Sequence, residues 1–298
     1  MMDPRMELAM TPDVQAFFHK PTNTFSYVVS DPEMGAAAII DPVLDYDFKS
    51  GRTGTDSAST LAAFIRHRGF SIGWILETHA HADHLTAAPY LKAQFGASIA
   101  IGEGIRKVQE NFRPVFNQHD LATDGSQFDR LFADGDIFTV GGLTGRVMNT
   151  PGHTSDSVTY VIGDAAFIGD TLFAPDYGTA RVDFPGGDAR LLYRSIQRLF
   201  GLPSATRLFL CHDYPPEDRS ETPMFTVGQQ RAENIHIHDG VSEGEFVAMR
   251  EARDATLSMP TLIIPSVQVN IRAGSLPPPE ENGVSYMKVP VNLLGRPL

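Results

Sequence analysis

The chain has 298 residues, of which 42% are hydrophobic, and it carries a formal net charge of −12 at pH 7. This length allows one large domain with a substantial core, and the acidic balance with scattered Lys and Arg residues argues against nucleic acid or anionic membranes as partners. The single cysteine, Cys211, excludes an intrachain disulfide. Residues 1–10 lack the apolar core of a secretory signal, and no apolar run approaches the roughly 18 residues of a membrane span. We therefore expect a cytosolic protein that acts on a small molecule.

The first segments of the chain alternate apolar runs with turn residues. The runs are VQAFF at 14–18, FSYVVS at 25–30 and GAAAIIDPV at 35–43. Pro, Asn and Gly residues separate them, which predicts a β-meander. The polar, Gly-rich segment 44–59 predicts a loop, and the helical spacing of apolar residues in 60–70 predicts a helix that ends near Gly69.

The next segments predict a strand, a polar loop, a helix and a second strand. The apolar run at 72–76 is typical of a buried strand and leads directly into a polar sequence that begins at Glu77. Segment 84–96 has the apolar spacing of a helix, and 97–102 predicts the return strand. The polar cluster therefore lies at a strand end.

The second half of the chain repeats this arrangement. The predicted elements are strands with Gly turns over 136–173, an amphipathic helix over 188–203, a strand over 206–214 and a helix over 242–257. The short apolar run 261–265 follows, and the Pro-rich segment 273–283 predicts irregular structure. We predict a catalytic domain over residues 1–250 and a C-terminal extension over 251–298 that packs on the same domain.

The sequence HAHADH concentrates residue types that bind metals. Its members of this kind are His79, His81, Asp83 and His84. They lie too close in sequence for one extended strand to direct them all to one point, but a loop between a strand and a helix can do so. Three more residues of these types follow other predicted strands, namely His153, Asp170 and His212.

These side chains predict a catalytic metal centre with open positions. Imidazole and carboxylate groups suit Zn(II), Fe(II) and Mn(II), and the lack of thiolates other than Cys211 argues against a structural zinc site. The alternative is that HAHADH is a solvated polar loop. That alternative leaves the later Gly-His and Gly-Asp turns without an explanation.

The order H-x-H-x-D-H, then Gly-His, then Gly-Asp, then His resembles the metallo-β-lactamase superfamily over residues 15 to 240. The resemblance implies an α/β fold, a four-layer αβ/βα sandwich with metals at the edges of the sheets. It does not fix the reaction, because relatives include thioester hydrolases such as glyoxalase II, lactonases, nucleases, β-lactamases and persulfide dioxygenases.

Two stretches are similar to the bacterial type of the persulfide dioxygenase branch, also called sulfur dioxygenase. They are THAHADHLTAA at 78–88 and GTARVDFPGGDARLLYRSI at 178–196. The string Arg181 to Phe184 resembles the Gly-Arg-Thr-Asp-Phe segment of that branch, although Ala180 replaces the common Gly and PGGD is an extension. The tail 265–276 resembles the short dioxygenase ending, whereas glyoxalase II continues into a glutathione-binding helical lobe.

The resemblance implies oxidation of glutathione persulfide by O2 and water to sulfite and glutathione at one Fe(II) per chain. The residues that match the iron ligands of the branch are His79, His153 and Asp170, and Tyr214 joins them as a catalytic residue. The residues left over are His81, Asp83, His84 and His212. In this reading they surround the iron and orient its ligands, or they form a second metal position that stays vacant.

The same match implies Arg181, Tyr214 and Arg231 as substrate contacts. Arginine suits the carboxylates of a tripeptide because its planar fork makes bidentate contacts. The alternatives are a structural ion pair of Arg181 with Asp183, packing for Tyr214, and an exposed helix charge for Arg231. Dimers are common in the branch, so a homodimer is compatible with the resemblance.

Two other functions remain open from the sequence alone. One is a two-metal zinc thioester hydrolase of the glyoxalase II type, and the other is a non-catalytic metal-binding or redox-sensing protein. Cys211 is expected to be an inert buried residue. His236 and His238 could face one side of a strand, but no partner ligands stand near them in the sequence, so we expect no metal there.

Overall fold

The computed structural model describes residues 11–295, whose strands form two six-stranded sheets and one three-stranded sheet. The first sheet contains, in spatial order, β1 (Asp13–His19), β2 (Thr24–Ser30), β3 (Ala36–Ile40), β6 (Ser71–Leu76), β8 (Ser98–Gly102) and β9 (Arg130–Phe132). Its first three strands are antiparallel, which confirms the predicted meander, and the pairings from β3 to β9 are parallel.

The second sheet is formed by later segments. It contains, in spatial order, β10 (Ile137–Val140), β11 (Leu143–Asn149), β12 (Val158–Ile162), β13 (Ala165–Phe167), β14 (Arg207–Phe209) and β15 (Met224–Thr226). Only the β13 and β14 pair is parallel among these described strands. The small sheet contains β5 (Arg52–Gly54), β4 (Val43–Asp47) and β7 (Leu85–Thr86).

Helices cover the outer face of each large sheet. Those on the first sheet are α1 (Asp56–Arg68), α2 (Ala88–Phe95), α3 (Ile105–Val115) and α7 (Ile263–Asn270). Those on the second sheet are α4 (Ala189–Phe200), α5 (Val227–Glu233) and α6 (Glu243–Asp254). Across residues 11–295, no helix has the length and apolar character needed to cross a membrane.

Alternation of side chains along the strands produces three apolar layers. In β2, Val28 packs towards the helices of the first sheet, while Tyr27 and Val29 pack between the two sheets. In β14, Leu208 packs towards the helices and Phe209 between the sheets. Because the central strands carry apolar side chains on both sides, these parts of each large sheet are buried on both faces, whereas β10 and β11 expose alternate residues. This is the four-layer αβ/βα sandwich that the sequence predicted.

Several helix boundaries follow from local sequence. The helix α1 ends at Gly69, which adopts a left-handed conformation (φ 67°) as the sequence predicted. The helix α4 begins after Asp188, whose carboxylate accepts hydrogen bonds from the backbone N–H groups of Arg190 and Leu191.

Three predictions of local structure were wrong or incomplete. Segment 44–59 is not a loop throughout, because β4 and β5 form a hairpin within it. The helix expected over 84–96 begins only at Ala88, because Leu85 and Thr86 pair with β4 instead. The apolar run 261–265 continues into α7, a helix that the sequence did not predict.

The C-terminal part of the described chain contacts the rest of the fold. The helix α7 packs against β7, and its residues Ile263 and Val267 belong to the apolar layer of the first sheet. The Pro-rich segment 273–283 has no helix or strand, as predicted. The division into residues 1–250 and 251–298 stays a prediction, and residue 250 lies within α6.

Candidate metal centre

The loop that follows β6 is shaped by buried carboxylates from other segments. Asp41, directly after β3, accepts hydrogen bonds from the backbone N–H of Thr78 at 2.7 Å and from its hydroxyl at 2.8 Å. Asp156 accepts from the backbone N–H of Ala80 at 2.8 Å. These bonds hold residues 78–80 at the edge of the first sheet, where the histidines follow.

His79, His153 and Asp170 converge from three different segments. The Nε2 atoms of His79 and His153 lie 3.8 Å and 3.5 Å from Oδ2 of Asp170. Metal–ligand bonds of about 2.0–2.2 Å place neighbouring ligand atoms roughly 3–4 Å apart, so this spacing fits one ion. His79 Nε2 and Asp170 Oδ1 are buried and have no hydrogen-bond partner among the described residues, which also fits a metal site.

Hydrogen bonds fix which nitrogen of each histidine faces this point. His153 donates from Nδ1 to the carbonyl oxygen of Arg181 at 2.7 Å. The hydroxyl of Thr78 donates to Asp41, so it accepts from Nδ1 of His79 at 3.1 Å. Both histidines therefore present an unprotonated Nε2, the form that binds a metal.

The remaining candidate ligands lie beside the first group. Atoms of His81, Asp83, His84 and His212 that could bind a metal lie within 4.8 Å of one another. His212 Nε2 is 3.1 Å from Asp83 and 3.5 Å from Asp170. His81 Nε2 is 3.1 Å from Asp41, and its Nδ1 is 4.0 Å from the Cys211 thiol. The chain thus brings together all the residues predicted from the sequence, and the set can hold one ion or two.

Burial sets the charge of these groups. Burial and the neighbouring histidines lower the pKa of His79 well below its usual value, and burial and His81 lower the pKa of His84 to about 3. Burial opposes the ionised form of Asp83, but His212 and His84 hold the pKa of that carboxyl below its usual value. For His79, His84 and Asp83 these are the forms that bind a divalent cation. Burial opposes the charged form of His81 and His212, but Asp41 raises the pKa of His81, and Asp83 and Asp170 raise that of His212.

A cavity of about 1030 Å³ opens onto the centre. Its lining includes His84, His153 and Asp170, and residues of the β4–β5 hairpin and of α6 form other parts of the wall. Tyr214 also lines it, and its ring lies 4.8 Å from that of Tyr177 and stacks on His212 at 5.9 Å. Burial, with Asp83 and Asp170 nearby, raises the pKa of Tyr214 well above its usual value, so its phenol stays protonated.

Residues 19–212, which include every candidate ligand, match the family described as the metallo-beta-lactamase superfamily. The chain belongs to the metallo-β-lactamase superfamily. A Burkholderia pseudomallei protein named "probable metallo-hydrolase" is 55% identical, over 94% of this chain and 99% of that protein. Glyoxylase B2 of Dictyostelium discoideum is 48% identical, over 94% of this chain and 97% of that protein.

More distant superfamily members differ in how much of the chain they match. Persulfide dioxygenase ETHE1 of Mus musculus is 28% identical over 89% of this chain and 90% of that protein. The crystal structure of ETHE1 from Myxococcus xanthus, also 28% identical, matches with a TM-score of 0.71 over 88% of this chain and 100% of that one. A hydroxyacylglutathione hydrolase of Rhodopseudomonas palustris is 31% identical, but over only 65% of this chain and 64% of that protein.

Among the residues predicted to contact substrate in this superfamily member, Arg181 lies at the cavity and Arg231 does not. Arg181 lines the cavity, pairs with Asp183 at 2.6 Å and lies 5.0 Å above the Phe184 ring. Arg231 is an exposed residue of α5, is not among the cavity residues and pairs with Asp239 at 2.9 Å. Both features named by the alternatives are present: Arg181 forms an ion pair with Asp183, and Arg231 is an exposed charge on a helix.

Two exposed cavity arginines were not singled out from the sequence. Arg52 of β5 and Arg253 of α6 are exposed and line the cavity, and neither has an ion-pair partner within residues 11–295. Arg52 was assigned to a loop, and Arg253 lies in a helix with no distinctive motif. Their position depends on elements that only the folded chain brings together, so no local pattern could have indicated them.

The other histidines and the cysteine lie apart from the ligand set or are buried beneath it. His236 is in a turn rather than a strand, and its Nδ1 accepts from the backbone N–H of Thr179 at 3.0 Å. His238 is exposed. Cys211 is 1% exposed, with its Sγ 4.0 Å from His81 Nδ1.

Proposed function

We propose that this protein is a persulfide dioxygenase that oxidises glutathione persulfide with O2 and water to sulfite and glutathione. The observation that supports the proposal is the extent of similarity: a persulfide dioxygenase is similar over 89% of this chain and 90% of its own length, and an ETHE1 crystal structure over 88% and 100%. Similarity to the hydroxyacylglutathione hydrolase covers a much smaller part of the chain.

The proposed iron ligands are His79, His153 and Asp170. Two histidines and one carboxylate with open positions form the ligand set of many non-haem Fe(II) oxygenases. Fe(II) bound there would supply the O2 chemistry. The chain holds the two imidazoles in the required tautomers through Thr78 and the Arg181 carbonyl, and it surrounds Asp170 with buried groups.

The neighbouring polar residues would order the centre without binding the iron. His81, Asp83, His84 and His212 lie against the ligands and one another. In this role they hydrogen-bond ligands and water near the metal and so set their orientation and basicity. Tyr214 adds a protonated phenol at the cavity wall, where it can donate a hydrogen bond to the substrate.

Free positive charge at the cavity suits an anionic substrate. Arg52 and Arg253 lie on the hairpin and on α6, so their charges belong to different parts of the wall. We assign them to the carboxylates of the tripeptide, with Arg181 and Tyr214 nearer the metal ligands. Charge-assisted hydrogen bonds of this kind are the stronger ones in proteins.

The test compares two reactions of one preparation. The protein is purified with iron, its metal content is measured, and O2 uptake with glutathione persulfide is followed beside hydrolysis of S-lactoylglutathione. We expect O2 uptake with sulfite release at one iron per chain. Thioester hydrolysis at two metals per chain without O2 uptake would overturn the proposal.

The second candidate is a two-metal thioester hydrolase of the glyoxalase II type. It is favoured by the closeness of His81, Asp83, His84 and His212 to one another and of His212 to Asp170. The 48% identity to a protein named glyoxylase B2 points the same way. The paired assay above separates the two candidates.

A further inference from the structure

The loop that carries the candidate ligands is held by a residue of α7. Asn270, the last residue of that helix, is 3% exposed. Its side-chain amide donates to the carbonyl oxygens of His81 and His84, both at 2.8 Å, and its Oδ1 accepts from the backbone N–H of Thr86 at 3.0 Å. Both donors and the acceptor of this amide are thus used on one loop.

These bonds fix the backbone at two positions that bear candidate ligands. His81 and His84 lie three residues apart, and Asp83 lies between them. One planar amide that binds both carbonyls sets their separation and relative orientation, because its two N–H groups point in fixed directions. The Asn270 amide therefore orients the side chains at these positions indirectly, by fixing the backbone that carries them.

The helix α7 is itself anchored, so it can act as a rigid support. Ile263, Val267 and Ile271 belong to the apolar layer of the first sheet. Gln109 of α3 donates to the carbonyl of Ile271 at 2.9 Å. Asn270 is not among the cavity residues, which separates it from substrate contact.

We propose that Asn270 is a positioning residue of the metal centre, and that α7 completes this centre by setting the backbone of the ligand loop. The inference depends on the metal centre and not on the reaction that the centre catalyses. Loss of the Asn270 amide should therefore change metal binding and ligand geometry whichever candidate function is correct.

The test uses Asn270→Ala and Asn270→Asp with Gln268→Ala as the matched control. Asp keeps the shape and the acceptor but loses both donors. Gln268 is a fully buried amide of the same helix that bonds to Lys288 and Ile264 rather than to the ligand loop. Each variant is compared with the wild type for Co(II) affinity by chelator competition, for the visible Co(II) spectrum at saturation, and for melting temperature.

We expect both Asn270 variants to bind Co(II) about 10- to 100-fold more weakly and to show an altered Co(II) spectrum. Gln268→Ala should melt at a lower temperature but keep its Co(II) affinity within about twofold, with an unchanged spectrum. Wild-type affinity and spectrum in folded Asn270 variants would overturn the inference. Failure of both Asn270 variants to fold while Gln268→Ala folds would assign Asn270 a purely structural role and would also overturn it.

Discussion

A single buried carboxylate, Asp41, organises two histidines of the ligand loop. It bonds directly to Nε2 of His81 and reaches His79 through the hydroxyl of Thr78. It is 2% exposed and its pKa is lowered, because His81 and the Thr78 hydrogen bonds outweigh the effect of burial. Ligand orientation thus depends on a residue of a neighbouring strand end that the sequence did not single out.

Replacement of His84 tests the role proposed for the residues beside the iron. His84→Ala should retain part of the iron but lose O2 uptake by about 10- to 100-fold, because the centre loses a group that orders its ligands. Iron content and O2 uptake are measured on the same preparation, with His238→Ala as a surface control. Normal turnover in His84→Ala would contradict this role.

The free cavity arginines allow a test of substrate binding. Arg253→Ala should raise KM for the persulfide about tenfold with little change in kcat, because a charge-assisted hydrogen bond is lost before chemistry begins. Arg231→Ala is the control, since Arg231 pairs with Asp239 away from the cavity. An equal rise of KM in both variants would count against the assignment.

His236 predicts a dependence of stability on pH. Burial, with Arg250 and Arg253 nearby, lowers the pKa of His236 from 6.5 to about 4. Between these values the unfolded chain binds more protons than the folded chain, so the free energy of unfolding falls as the pH decreases from about 6.5 to 4. The stabilising contribution is full above this range and is lost within it.

Denaturant unfolding at pH 7 and pH 5 checks this expectation. In His236→Asn, whose amide oxygen can still accept from Thr179, the loss of stability between the two pH values should shrink by about 1 kcal/mol after allowance for solvent screening. An unchanged pH dependence would show that His236 does not titrate as described.

The sequence singled out the candidate ligands that the fold brings together but missed two exposed arginines at the cavity, for a physical reason. His79, His81, Asp83 and His84 are adjacent in sequence, and His153, Asp170 and His212 each follow an apolar strand. The position of Arg253 at the cavity depends on how a helix packs against a hairpin that is distant in sequence. No local pattern records that packing.

At the level of elements, the sequence predicted some amphipathic helices and missed others: α3 has a regular apolar face but was not predicted, and α7 depends on tertiary contacts. The helix α4 shows apolar residues at helical spacing and was expected. The helix α7 is rich in β-branched residues, which disfavour a helix in isolation. Its burial against the first sheet overrides that preference.

The start of α4 provides a test of local stability. Asp188→Ala should lower the free energy of unfolding by about 1 kcal/mol, because the backbone N–H groups of Arg190 and Leu191 lose their acceptor. Chemical denaturation measures the change, and Asp188→Asn should recover most of it. A loss below about 0.3 kcal/mol in Asp188→Ala would mean that water replaces the cap.

At the level of the whole molecule, the metal centre joins the two halves of the sandwich. The HAHADH ligands follow β6 of the first sheet, whereas the others follow β11, β13 and β14 of the second. An ion bound by both sets stabilises only the chain in which the halves are assembled.

Removal of metal should therefore lower the melting temperature of the entire protein. Saturation at 1,000 times the dissociation constant contributes about 4 kcal/mol, which chelation would remove. The measurement is thermal unfolding of the loaded protein, of the chelated protein and of the chelated protein after metal is added back. Identical melting of loaded and chelated protein would contradict a centre shared by both halves.

The burial of Cys211 determines when its thiol can react. Its thiol is 1% exposed at the end of a core strand, beneath the ligand residues. A buried thiol of this kind is unreactive towards reagents in solvent while the core stays closed. The same burial makes this thiol a probe of core opening. A labelling reagent reacts with it only after the core opens, so the rate of labelling measures how often the core opens.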